Sequence, residues 1–152
     1  MEYVLKTTLV EIEERCEERA IYKKKVPCAI ASYEEDDGEI QYMHIVNLTP
    51  HIIHLSTDLG FLTIPPSGIV GKAPECADTI VENGYGIPLL YKEYGKSKTY
   101  FTCNESVLFI GSLLYVRSID QEERHNYVVP ANFIRDADGR ITGCRGLAFV
   151  AN

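Results

Sequence analysis

Tryptophan is absent, methionine occurs twice, and no run of apolar residues is long enough to span a membrane. A bilayer-crossing helix needs about 20 consecutive apolar residues, so none is expected. The opening MEYVLKTTLVEIEER lacks a basic stretch followed by an apolar one. It does not read as a secretory signal, and a cytoplasmic location is expected. There is no CxxC pair, no HExxH, no Walker loop, no GxGxxG and no serine nucleophile elbow. No cofactor and no metal is expected. The five cysteines (Cys16, Cys28, Cys76, Cys103, Cys144) are odd in number and widely spaced, which reads as reduced thiols serving mostly as small buried hydrophobes. Positive charge is scarce: the net charge is −7 and the isoelectric point about 5.1. That disfavours general electrostatic binding to nucleic acid or to an anionic membrane surface.

What is present suits one folded domain. The chain has 152 residues, 45% apolar and 24% charged, close to the globular average. This is long enough to bury a core without disulfides or a metal, and it excludes a disordered chain, a collagen or a coiled-coil rod. The acidity is uneven. Residues 1–44 hold eleven acids and six bases, and residues 45–152 hold eleven and nine.

Thr8-Leu9-Val10-Glu11 has the form of a helix capping box, and Leu9, Ile12, Cys16 and Ala20 follow at spacings of three and four. The spacing predicts an amphipathic helix over about 8–22, closed by Lys23-Lys24-Lys25 at its negative end and stopped by Pro27. The runs 26–33 and 39–46 around Glu34-Glu35-Asp36-Asp37-Gly38 predict a β-hairpin with a solvated acidic turn. Beyond it come short strands separated by turns: Asn47-Leu48-Thr49-Pro50, Pro65-Pro66-Ser67-Gly68, Gly84-Tyr85-Gly86-Ile87-Pro88 and Asp136-Ala137-Asp138-Gly139. Val107–Ile110 is continuously apolar and reads as a buried strand, with a short helix over 112–116 after it. A final strand is expected over about 140–150. The predicted class is α+β: mainly short antiparallel strands in a mixed sheet or partial barrel, with one amphipathic N-terminal helix.

Several short motifs stand in a fixed order. They are Asn47-Leu48-Thr49-Pro50-His51, Ile64-Pro65-Pro66-Ser67-Gly68, Gly86-Ile87-Pro88, Tyr94-Gly95, and Ile134-Arg135-Asp136 running to Gly143-Cys144-Arg145-Gly146-Leu147. On these, residues 45–150, about 70% of the chain, resemble a family of small phage- and prophage-encoded proteins that open with NLTPH and close with RDxxGRIxGCRGL. The resemblance implies a phage context, hence a host-cell cytoplasm, and no particular activity. It divides the chain into an N-terminal extension, 1–43, and a family-like β-rich domain, 44–152. Lys96-Ser97-Lys98-Thr99 replaces the Gly-Leu-Pro element that family members carry after Tyr-Gly.

Two constellations are candidates for chemistry. Arg135, Arg140 and Arg145 lie within eleven residues of an otherwise acidic chain. Guanidinium groups bind phosphate in bidentate fashion, and the glycines flanking Cys144-Arg145 admit a ligand close to the backbone. The bland reading is ion pairs around a turn. Asn47, Thr49 and His51 surround a proline turn, either as side-chain caps or as a polar pocket rim. His51 and His54, read on one strand, point to opposite faces and make no shared metal site. Cys144 beside Arg145 invites a thiolate reading, but no Cys-x5-Arg loop surrounds it. Ten tyrosines supply ring surface on which a base can stack. The expected function is capture without catalysis of a phosphate-bearing, nucleotide-like ligand, such as a host immune signal. The alternatives are a nucleotide-cleaving enzyme with His51 as base and Arg145 as anion stabiliser, and an acidic inhibitor of a host nucleic-acid enzyme. A homo-oligomer, a dimer or higher, is expected because the added segment has to bury its apolar stripe.

Overall fold

The computed structural model describes residues 4–58, 60–76 and 78–151. Strand makes up 55% of the described residues and helix 6%. Nine strands form one mixed sheet in the order β5-β4-β11-β10-β9-β3-β2-β1-β8. The strands are β1 (Val4–Cys16), β2 (Arg19–Glu34), β3 (Ile40–Asn47), β4 (Ile53–Thr57), β5 (Gly60–Ile64), β8 (Thr99–Thr102), β9 (Val107–Ile110), β10 (Tyr127–Arg135) and β11 (Ile141–Phe149). A separate ribbon is made of β6 (Thr79–Val81) and β7 (Leu89–Tyr91). Among the described residues the one α-helix, α1, spans Leu113–Ser118 and is capped by the Ser112 hydroxyl, which accepts from the Tyr115 N–H, and a 3-10 turn follows at Gln121–Glu123. No helix among the described residues is long and apolar enough to cross a membrane.

The α+β class with an amphipathic N-terminal helix is therefore overturned: the fold is mostly β, and residues 8–22 are two strands and the turn between them. The burial pattern shows why. Val10 and Ile12 are buried while Leu9, at 62% exposure, and Glu11 face out, so the period is two and not 3.6. Two lysines of the triplet, Lys23 and Lys25, find partners across the ladder rather than at a helix end. Glu11 lies opposite Lys25 and Glu13 opposite Lys23 in the β1–β2 register, and opposite charges across strands are mutually favourable. The turn runs through Glu17, at φ 56°, and the Arg15 guanidinium donates to the Glu18 carbonyl at 2.7 Å while meeting Glu13 at 2.8 Å.

The β2–β3 hairpin forms around the acidic turn, as its flanking runs predict. β3, β9 and β10 run parallel side by side, and β4 runs parallel to β11. Successive residues of these central strands serve opposite cores. Cys28, Val46, Phe109 and Tyr127 enter a cluster with Val10, Ile12, Val26, Phe101 and the α1 residues Tyr115 and Val116. Ala29, Ile45, Ile110 and Val128 enter a second cluster with Ile53, Leu55, Leu62, Ile64 and Cys144. A strand buried on both faces needs apolar residues without alternation, which is the pattern of Val107–Ile110. In the first core Tyr127 stacks on Phe109 at 5.0 Å between ring centroids. Its hydroxyl donates to the Phe101 carbonyl (2.9 Å) and accepts from the Phe101 N–H (2.7 Å), tying β8 to the core. The Tyr115 ring packs against Gly71 and Gly111, and an added Cβ at either would collide with it.

Candidate functional site

A cleft of about 600 Å³ opens beside the second core. Its walls come from four places: the loop after β3, the start of β4, the Gly111-Ser112 step after β9, and the paired middles of β10 and β11. Phe133 and Cys144 are register partners on β10 and β11, so their side chains leave the sheet on one face, and both line the cleft. Ile52, Ile53, Pro130 and Ile141 add apolar wall, and Thr49, His51, His54, Ser112 and Thr142 are its polar groups.

The loop after β3 is built by Asn47, which is fully buried. Its Nδ2 donates to the carbonyls of His51 (2.7 Å) and Ile64 (3.4 Å). Its Oδ1 accepts from the Thr49 N–H (2.9 Å) and the Thr49 hydroxyl (2.7 Å). Every hydrogen-bonding position of the amide is thereby used. Asn47 and Thr49 act as caps of the turn, and their work presents the exposed His51 at the cleft rim. His51 precedes β4 and is free of strand alternation, so His51 and His54 line the same cleft rather than opposite faces.

The arginines do not join them. Arg135 donates to the Gly139 carbonyl at 2.9 Å, clamping the turn whose backbone N–H groups at Asp138 and Arg140 bond to the Asp136 carboxylate. Arg140 is exposed in that same turn. The β10–β11 register slips between Ile134 and Arg135, which leaves Thr142 as the extra residue, its hydroxyl donating to the Ile134 carbonyl at 3.3 Å. Past this bulge the ladder is interrupted again at Asn132, which has φ 56° and no register partner. Cys144 points into the second core, and Arg145 is exposed and outside the cleft. Gly143 serves strand packing: an added Cβ would stand 2.8 Å from the His54 carbonyl on β4.

No protein-family model, curated protein or solved structure matches the chain. The cleft's own chemistry is what bears on function. Burial pushes the Cys144 thiol above its ordinary value, the reverse of what a thiolate nucleophile requires. The Thr49 and Thr142 hydroxyls donate to neighbouring backbone or turn oxygens, and the Ser112 oxygen caps α1. Among the described residues no hydroxyl or thiol of the cleft is bonded to a histidine ring; His54 Nδ1 meets only the Thr63 hydroxyl, outside the cleft, at 3.5 Å. On the far side of the sheet edge, Glu35, Asp37 and Glu39 bring carboxylate oxygens within 4.8 Å of one another on an exposed turn, which is solvated surface. Sequence reasoning missed Ile52, Phe133, Ile141 and Thr142. Phe133 alternates out of its strand opposite Cys144, a signal that needs the β10–β11 register to be read.

Proposed function

We propose that this protein is a binding module that holds a small ring-bearing ligand in the cleft between β4, β10 and β11 and does not transform it. The observation that carries the reading is the make-up of the cleft: apolar walls of Ile52, Phe133 and Ile141 beside a polar rim of Thr49, His51, His54 and Ser112. Apolar walls with a few convergent polar groups are the general form of small-molecule sites. An exposed phenyl ring offers a flat surface for a base, and the two imidazoles and the hydroxyls offer donors to phosphate or ribose oxygens. The occupied hydroxyls and the raised thiol favour capture over cleavage. For a chain that resembles phage-encoded proteins, capture of a host signalling nucleotide is the use that fits.

Calorimetric titration with mononucleotides and with cyclic dinucleotides tests this. At least one is expected to bind, with affinity lowered tenfold or more by Phe133→Ala and by His51→Ala, and changed less than twofold by Arg145→Ala. Binding indifferent to the first two substitutions would remove the cleft as the site, and turnover of the bound nucleotide would replace the reading with an enzymatic one.

A further inference from the structure

The β6–β7 ribbon contributes to neither core. It is a well-defined element all the same. Thr79–Val81 pairs with Leu89–Tyr91, and Asn83 builds the tip as Asn47 builds its turn: Nδ2 donates to the Ile87 carbonyl (2.7 Å) and the Val81 carbonyl (3.4 Å), and Oδ1 accepts from the Tyr85 N–H (3.0 Å). At the base, the Cys76 N–H donates to the Glu93 carbonyl and the Gly95 N–H to the Pro74 carbonyl, both at 2.8 Å. The ribbon is thus preformed and held at both ends. Its side chains are apolar on both faces. The register partners Ile80 and Leu90 share one face, at 71% and 47% exposure, and Leu89 and Tyr91 share the other, with Tyr91 at 67%. Tyr85 and Ile87 stand exposed at the tip.

An isolated two-stranded ribbon is marginal in water, and one exposing apolar residues on both sides needs a cover. We propose that the cover is a second copy of this chain, and that β6–β7 is the arm through which two copies associate about a two-fold axis. The area sets the size of the cover, and the charge chooses a second copy over a foreign partner. The exposed parts of Ile80, Tyr85, Ile87, Leu89, Leu90 and Tyr91 amount to on the order of 700–800 Å², about what one partner gives to a standard protein interface. The arm, residues 79–91, holds one charge, Glu82, in a chain of net charge −7. Copies of an acidic chain repel, so they meet most readily where charge is missing. A two-fold contact presents the same patch from both sides, so the neutral arm meets its own neutral equivalent.

Sedimentation velocity of the full chain at about 50 μM, with far-UV circular dichroism as the check on folding, tests the arm. The wild type is expected to sediment as a dimer, and Ile80→Asp with Leu90→Asp as a folded monomer, since neither side chain serves a core. If that pair disturbs the dichroism spectrum, Tyr85→Ser with Ile87→Ser, both outside the strands, is the deciding variant and is expected to give the monomer. A monomeric wild type would overturn the proposal, and so would variants that fold and sediment with the wild-type mass. Neither outcome depends on whether the cleft binds a nucleotide.

Discussion

At the residue scale, two positions in the motif-bearing segments have structural duties that set measurable costs. Asn47 satisfies two carbonyls and fixes two donors of Thr49 from a fully buried position. Truncation strands those groups, and an unsatisfied buried partner costs about 1–3 kcal/mol. Asn47→Ala is expected to lower stability by about 2–3 kcal/mol in urea unfolding and to weaken nucleotide binding through displacement of His51; an unchanged midpoint would contradict the assigned bonds. Gly143 and Gly146 make an internal contrast. A Cβ at 143 meets the His54 carbonyl at 2.8 Å, whereas at 146 the nearest atom is Asn132 Nδ2 at 3.8 Å. Overpacking against backbone typically costs about 1–3 kcal/mol, so Gly143→Ala is expected to lower the melting temperature by several degrees and Gly146→Ala to change it little. Equal effects would show that both glycines answer to something other than packing.

At the scale of elements, the most consequential pair is Tyr127 and the strand it holds. Burial pushes the hydroxyls of Tyr127 and Tyr115 well above their ordinary 10.0, and the Cys28 thiol from 9.0 up to about 11. Each group is kept neutral by the fold and ionises more readily once unfolded. Their contribution is fully present below the unfolded values and is lost progressively as pH rises from those values toward the raised folded ones. Thermal melts are expected to hold up to about pH 9 and to fall steeply above it. Tyr127→Phe is expected to start lower, having lost both bonds to Phe101, and to fall less steeply; parallel curves would contradict the buried-tyrosine account. The same elements show what a sequence reader can and cannot see. Val107–Ile110 was legible because a strand buried on both faces is apolar at every position, and the hairpin around the acidic turn because its flanks are β-rich. The turn built by Asp136 was legible because Asx side chains bond to backbone N–H groups nearby. β1 was not legible. Leu9, Ile12, Cys16 and Ala20 match a helical stripe by chance, while the deciding pattern, Val10 and Ile12 buried with Lys23 and Lys25 facing Glu13 and Glu11, exists only once β2 has paired with it. The cleft was half legible: Thr49 and His51 are in it, but the arginines, close in sequence, lie at a turn and at an exposed position of β11 outside the cleft.

For the whole molecule, the curled nine-strand sheet places one core on each face. The cleft sits beside the second core, where the loops after the parallel strands β3 and β9 meet the β10–β11 pair. The rigid sheet supplies the apolar wall, and the Asn47 turn supplies the rim, an arrangement suited to holding a ligand without rearranging around it. Capture without turnover is tested most directly by mass spectrometry of small molecules released by denaturing the protein purified from cells that make its ligand. A phosphate-bearing, ring-bearing molecule is expected at near one per chain. It should be recovered unchanged after incubation with fresh protein, and be absent from Phe133→Ala purified in parallel. A released molecule that fresh protein converts to a product, or an equal yield from Phe133→Ala, would contradict capture by the cleft without turnover.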